Sequence, residues 1–237
     1  MPDPDSAQIR RMFDTLAPRY DLFNQWMSFG LASGWRRRVL RGLEPGMKVL
    51  DVGCGTGDLS LEAARLLEGR GEVTAVDFSE KMLEFAKRRE FQMAAGTAKT
   101  VPIRWVHKEA EDLPLEANAC DLAVSGFVLR NLYRNINRIL VGVRESLKEG
   151  GRIAFLDFTE PPNPILKRFW RFYMNTVAAF YGKILFGRNY PDFYLTDSAN
   201  RFSKPADFER HLREAGFRDV QTEFMMFGVI VLYRAVK

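Results

Sequence analysis

The chain has little of the chemistry from which metal centres and disulfide frameworks are built. Its 237 residues include two cysteines, Cys54 and Cys120, and two histidines, His107 and His211. With no Cys-x-x-Cys pair and no Cys/His cluster, no metal site is expected. Few cysteines and no secretory leader point to a reducing, cytoplasmic setting; the opening MPDPDSAQIRRMF is acidic and polar. No apolar run reaches 18 residues, so no segment is expected to cross a membrane. No GKS or GKT follows the glycine-rich stretch, which removes the P-loop. Internal repeats and low-complexity tracts are also missing.

What remains is ordinary globular material: 46% hydrophobic, 27% charged and 13% aromatic residues, with 19 Phe. One sizeable core is affordable at this length. A net charge of +5 weakly favours anionic partners.

Residues 6–19 predict a helix with Ser6 as N-cap and Ile9, Met12, Phe13 and Leu16 on one face. Residues 20–41 read as further helix. From residue 45 strands and helices alternate: KVLDV, DLSLEAARLLEG, EVTAVDF, SEKMLEFAKRREF capped by Ser79, IRWVHK, CDLAVSGFV, INRILVGVRESLKEGG and RIAFLDF. Such alternation predicts a parallel sheet covered on both faces. Residues 163–203 are aromatic, basic and helical in period. A helix starting after Pro205 and two strands, DVQTEFMMF and GVIVLYRAV, close the chain as an antiparallel hairpin.

The stretch VLDVGCGTGD, residues 49–58, carries the function. Gly53, Gly55 and Gly57 follow the first strand and open a helix, the place where α/β sheets bind ligands. Their G-x-G-x-G spacing departs from the dinucleotide fingerprint, and Asp58 stands where a pyrophosphate would lie. Asp51 and Asp58 would repel phosphate and attract a cation or a hydroxyl. Asp77 ends the second strand, about 20 residues on, where a carboxylate suits a ribose diol. Glu109, Ala110 and Glu111, after the third strand, lie where an adenine edge could be read.

This set resembles a class I S-adenosylmethionine-dependent methyltransferase: a Rossmann-like α/β fold with a seven-stranded, mostly parallel sheet and an antiparallel last strand. The resemblance implies S-adenosyl-L-methionine as cofactor, with no metal. It places Asp51 near the amino end of the methionine part, Gly53, Gly55, Thr56 and Gly57 along it, Asp77 on the ribose, and Phe78 and Met82 beside adenine. Gly126 aligns with a cofactor-contacting Ser. Three further stretches, MFDTLAPRYDLFNQWMSFGLASGWRRRV, VLRNL and YLTDSANRF with the ending FGVIVLYRAVK, resemble the ubiquinone/menaquinone biosynthesis C-methyltransferase family. That likeness implies C-methylation of a polyprenylated benzoquinol or demethylmenaquinol. It makes Arg130 and Asn131 the first candidates to orient a ring hydroxyl, and Tyr20 and Asp21 candidates from a closing cap. Asp157, Tyr194 and Arg201 are weaker ones. Departures at Ala32, Glu109, Gly126 and Glu149 bear on the acceptor.

The expected organisation is one methyltransferase domain: a helical cap (1–44), a cofactor core (45–160), an aromatic and basic lid (161–203), and a closing helix with hairpin (204–237). The lid suits a polyprenyl tail and anionic headgroups, hence peripheral attachment to the inner face of a membrane. Aromatic-plus-basic composition also suits RNA, but no RNA-binding module is appended, so no nucleic acid partner is expected. A homodimer or a quinone-biosynthesis assembly are the candidate protein partners. Other aromatic or lipid acceptors for O- or N-methylation, and a non-catalytic cofactor-binding subunit, remain as alternatives.

Overall fold

The computed structural model describes residues 13–28, 30–94, 96, 99–186 and 204–237. Seven strands form one sheet: β1 Lys48–Val52, β2 Glu72–Asp77, β3 Ile103–His107, β4 Cys120–Gly126, β5 Leu147–Phe158, β6 Arg218–Met225 and β7 Ile230–Val236. Their order is β3-β2-β1-β4-β5-β7-β6. The pairs from β3 to β5 are all parallel, whereas β7 is antiparallel to both β5 and β6. The closing hairpin therefore folds back so that β7, rather than β6, lies against β5.

Strand burial explains the parallel core. In β1, Leu50 and Val52 enter one hydrophobic layer and Val49 the other. A strand apolar on both faces needs helices on both faces. The first layer packs helices α6 (Ile136–Ser146) and α9 (Pro205–Glu214) over Ala123, Ile153, Phe155 and Tyr233. The second packs α2 (Ala32–Val39), α3 (Asp58–Leu66) and α4 (Glu80–Ala94) over Val73, Ala75, Leu122, Val124 and Leu232. Each fully buried Leu, Phe or Val side chain contributes about 1.5–3 kcal/mol.

Three element boundaries differ from the sequence expectation. The single helical run over 20–41 is two helices, α1 (Tyr20–Met27) and α2. Gly30 ends α1 at φ +74°, its N–H bonded to Gln25 O at 3.0 Å. Helix α6 stops at Ser146, short of the two glycines, because Leu147 turns extended and pairs with Cys120. Beyond β4, Leu129–Leu132 forms one helical turn, α5.

Helix α7 (Pro164–Phe172) begins with Pro at its first turn, and Asn163 Oδ1 accepts from Ile165 and Leu166 N–H at 2.9 and 3.2 Å. It continues through a π-helical segment, Tyr173–Ala178, into α8 (Ala179–Phe186). Residues 187–203, including Tyr194 and Arg201, lie outside the described residues, as do Ser6, Ile9, Met12 and Phe29.

The chain runs outward from β1 to β3, then crosses to β4 on the other side of β1. That reversal leaves a crevice at the carboxyl ends of β1 and β4, where ligands of open α/β sheets bind.

Candidate active site

The glycine loop turns back onto β2: Gly53 and Cys54 N–H both donate to Val76 O, at 2.8 and 3.0 Å. Two glycines are needed for close packing within the protein. A Cβ on Gly53 (φ +68°) would lie 2.6 Å from Val128 Cγ1, and one on Gly57 (φ +86°) 2.7 Å from Trp105 Cη2. Around Gly55 there is open space within 4 Å. Gly55 is therefore the glycine that leaves room for a ligand.

Two buried carboxylates face this loop. Asp77 Oδ2 accepts from Gly55 N–H at 2.8 Å and Oδ1 from Ser79 N–H at 2.9 Å. Each carboxylate oxygen can accept twice, so capacity remains for two hydroxyls. Burial raises Asp77 to about 6, against the pull of those two N–H groups. Asp51 is 1% exposed. Its Oδ2 accepts from Ser60 Oγ at 2.5 Å, while Oδ1 is buried with no partner. Burial pushes Asp51 up to about 7. A buried orphan oxygen fits a ligand ammonium, which would both pair with it and hold it ionised.

Asp51 and Asp77 line a cleft of about 750 Å³, open mouth included, with Gly53, Gly55, Thr56, Phe78, Met82, Gly126, Phe127 and Asn131. Phe127 holds φ +62°, a strained value for an aromatic residue, with its N–H on Leu156 O at 2.7 Å. Phe13, Tyr20 and Asn24 close the cleft from the N-terminal side. Phe13 meets Phe78 and Tyr20 edge to face, at 6.0 and 6.1 Å between centroids. Asp14 Oδ1 accepts from Ser79 Oγ at 2.6 Å, and Ser79 caps α4 by accepting from Met82 N–H at 3.2 Å. Burial raises the Tyr20 phenol above its ordinary value, with Arg130 opposing.

The Leu-Arg-Asn turn is divided. Asn131 lines the cleft. Arg130 is 6% exposed and pairs with the fully buried Asp157 at 2.9 Å. Asp157 also accepts from the N–H groups of Arg130 (3.1 Å) and Phe158 (2.7 Å), and the guanidinium lies 5.5 Å from the Phe158 ring centroid. Arg130 is thus placed behind the cleft, not in its lining. Leu129 is in the core, and so is Ala110; Glu109 and Ala110, expected at an adenine edge, do not line the cleft. His107 Nε2 is 3.0 Å from Phe78 O.

Asp58 attracts cations as expected, but they are the protein's own: Arg36 at 2.8 Å and Arg89 at 2.7 Å. Asp21 accepts from Thr56 Oγ1 at 2.5 Å and pairs with Arg89 at 3.2 Å. Sequence reasoning missed Arg89, Arg36, Asp14 and Val128. Only Arg89 carried a legible signal, lying seven residues after Met82 on the same face of α4.

The residues present fit S-adenosylmethionine. Asp51 would hold the ammonium, Asp77 the ribose hydroxyls, and Phe78, Met82 and Phe13 would enclose an aromatic base.

Comparison with known proteins bears on the family and the fold. The curated demethylmenaquinone methyltransferases of Staphylococcus aureus strains MRSA252 and JH9 are each 34% identical over 239 residues, covering 98% of this chain and 94% of theirs. Among solved structures, a SAM-dependent methyltransferase from Aquifex aeolicus matches at TM-score 0.60 and 19% identity, covering 99% of both chains. An S-adenosylmethionine-dependent methyltransferase from Mesorhizobium loti matches at TM-score 0.58 and 19% identity, covering 86% of this chain and 96% of that one. These two likenesses carry the fold alone. The model of the ubiE/COQ5 methyltransferase family matches residues 1–237, and the chain belongs to that family.

Proposed function

We propose that this methyltransferase C-methylates the ring of a polyprenylated quinol. Demethylmenaquinol is favoured over 2-methoxy-6-polyprenyl-benzoquinol, because the curated relatives are demethylmenaquinone methyltransferases. The observation that carries the reading is the cleft itself, which the orphaned oxygen of Asp51 lines together with Asn131 and Tyr20.

Bound S-adenosylmethionine supplies an electrophilic methyl group. The protein must then present a ring carbon in line with it and stabilise charge on the ring oxygen. Asn131 orients the ring hydroxyl by hydrogen bonding. The ring hydroxyl loses its proton to solvent before the roof closes, the displaced ring proton leaves to solvent once it reopens, and in between Tyr20, kept protonated by its raised pKa, donates to the ring oxygen. Arg130 cannot lose its proton and contributes positive potential from behind, tempered by Asp157. Phe13 and Tyr20 exclude water.

The acceptor reaches the site from a membrane. Ile165, Phe169 and Phe172 on α7 are 66, 67 and 63% exposed. Trp26 of α1 touches Tyr181 of α8, with ring centroids 5.2 Å apart, so the cap and lid helices meet. Glu160 pairs with Lys167 and Arg171, which withdraws two cations expected at the headgroups. Ring insertion, more than charge, then anchors the protein at the surface.

The test is labelled S-adenosylmethionine with reduced demethylmenaquinol or the methoxy-benzoquinol, and mass spectrometry of the ring. Label on a ring carbon supports the reading and ranks the two rings. Cofactor binding with label on neither ring would discard the quinol. Asn131→Ala should lower kcat about 10²-fold with cofactor affinity nearly unchanged.

A further inference from the structure

One side chain outside the cleft gathers four contacts from three parts of the chain. Arg89 Nη1 donates to Thr56 O at 2.9 Å and to Thr56 Oγ1 at 3.3 Å. The same nitrogen lies 3.2 Å from Asp21 Oδ2, and Nη2 lies 2.7 Å from Asp58 Oδ1. Thr56 Oγ1 donates to the other Asp21 oxygen at 2.5 Å. A single guanidinium thus joins the N-terminal roof, the glycine loop and the start of α3.

The placement follows from helix geometry. Met82, Ala86 and Arg89 recur at i, i+4 and i+7 and share one face of α4. Met82 lines the cleft, and Ala86 packs under Gly57, 3.2 Å from where its Cβ would stand. Arg89, one turn further, reaches the outside of the same loop. Asp21 directly follows Tyr20, which lines the cleft. Whatever holds Asp21 therefore holds the roof over the cofactor.

We propose that Asp21, Thr56 and Arg89 form a latch that sets how long cofactor and product stay under the N-terminal roof. Arg89 and Asp21 are positioning residues in this scheme, acting through Thr56 and Tyr20. The latch can open because it is wet: the Arg89 and Asp21 side chains are 32 and 46% exposed. Ion pairs of this exposure are individually weak and screened by salt. Thr56 and Arg89 share the hold on Asp21, so losing either side-chain contact releases the same segment, and their effects are not additive. The inference rests on S-adenosylmethionine as cofactor.

Stopped-flow displacement of S-adenosylhomocysteine from the full chain tests it, at low and high salt. Asp21→Asn and Arg89→Met should each speed product release about fivefold at low salt. The double variant should be no faster than the quicker single one. Salt should speed release from the wild type toward the variants' rate and leave the variants unchanged. Arg89→Lys, able to reach Asp21 or Asp58 but not both, should fall between. Variants that lose thermal stability yet release product at the wild-type rate, with the wild-type salt response, would overturn the latch. A wild type that binds no S-adenosylhomocysteine would overturn the cofactor assignment, and the latch with it.

Discussion

Asp51 is held in low dielectric with one oxygen unpartnered, and that makes its protonation part of its function. Its folded-state value of about 7 stands above the ~3.9 of an unfolded aspartate. The folded, ligand-free protein therefore binds more protons between those values. The stability from this group is present near pH 4 and is lost as pH rises through about 7. A cofactor ammonium reverses the preference by favouring the carboxylate. Binding near pH 6.5 should release a proton, and affinity should rise with pH between 6 and 8. Calorimetry in two buffers of different ionisation enthalpy measures this, and Asp51→Asn should abolish the release. Equal wild-type affinity at pH 6 and 8 would contradict it. The glycines separate in the same way. Gly57→Ala drives a Cβ toward Trp105 and should cost about 1–3 kcal/mol in denaturant unfolding. Gly55→Ala faces open space but keeps a left-handed φ of +54°, so it should cost about 1–2 kcal/mol of backbone strain without a clash and also weaken cofactor binding.

Elements, once assembled, divide what their sequences present as units. Leu-Arg-Asn reads as one chemical motif, yet Asn131 lines the cleft while Arg130 turns away to Asp157. That pair forms because β4 and β5 are neighbours, a fact with no local signature. Arg130→Met should strand a buried carboxylate and cost about 3–5 kcal/mol of stability. Asn131→Ala should leave the melting temperature nearly unchanged while lowering kcat. Thermal melts set beside turnover distinguish the two. The nearness of Asp51, the glycines and Asp77 was legible because each lies at or just past the carboxyl end of β1 or β2, where the local sequence pattern marks the strand ends. The Asp21–Arg89 contact was not, since it joins residues far apart in sequence through tertiary packing alone. Likewise the pattern of residues 218–236 announced two strands but not their order, because a hairpin can dock by either strand.

Across the whole molecule, the cleft and the exposed aromatic rings share the carboxyl edge of the sheet. Phe227, 84% exposed at φ +56°, sits on the β6–β7 turn at that edge, where the neighbouring Gly228 packs closely on Pro162 just before α7. Phe169→Asp with Phe172→Asp should abolish co-sedimentation with anionic vesicles, whereas added salt should weaken the wild type only slightly. A strong salt dependence would instead make charge the anchor.

The docking of β7 against β5 also has a consequence for how the protein is made. Among the described residues, every one lining the cleft lies at or before Leu156. The free edge of β5 nevertheless waits for residues 230–236, whose Ile230, Val231, Leu232 and Tyr233 are all fully buried. At about 5–20 residues per second, the ribosome leaves that edge unpaired for several seconds. During that interval a nascent chain carries a finished ligand cradle beside an open strand edge, to which a strand from a neighbouring nascent chain can add.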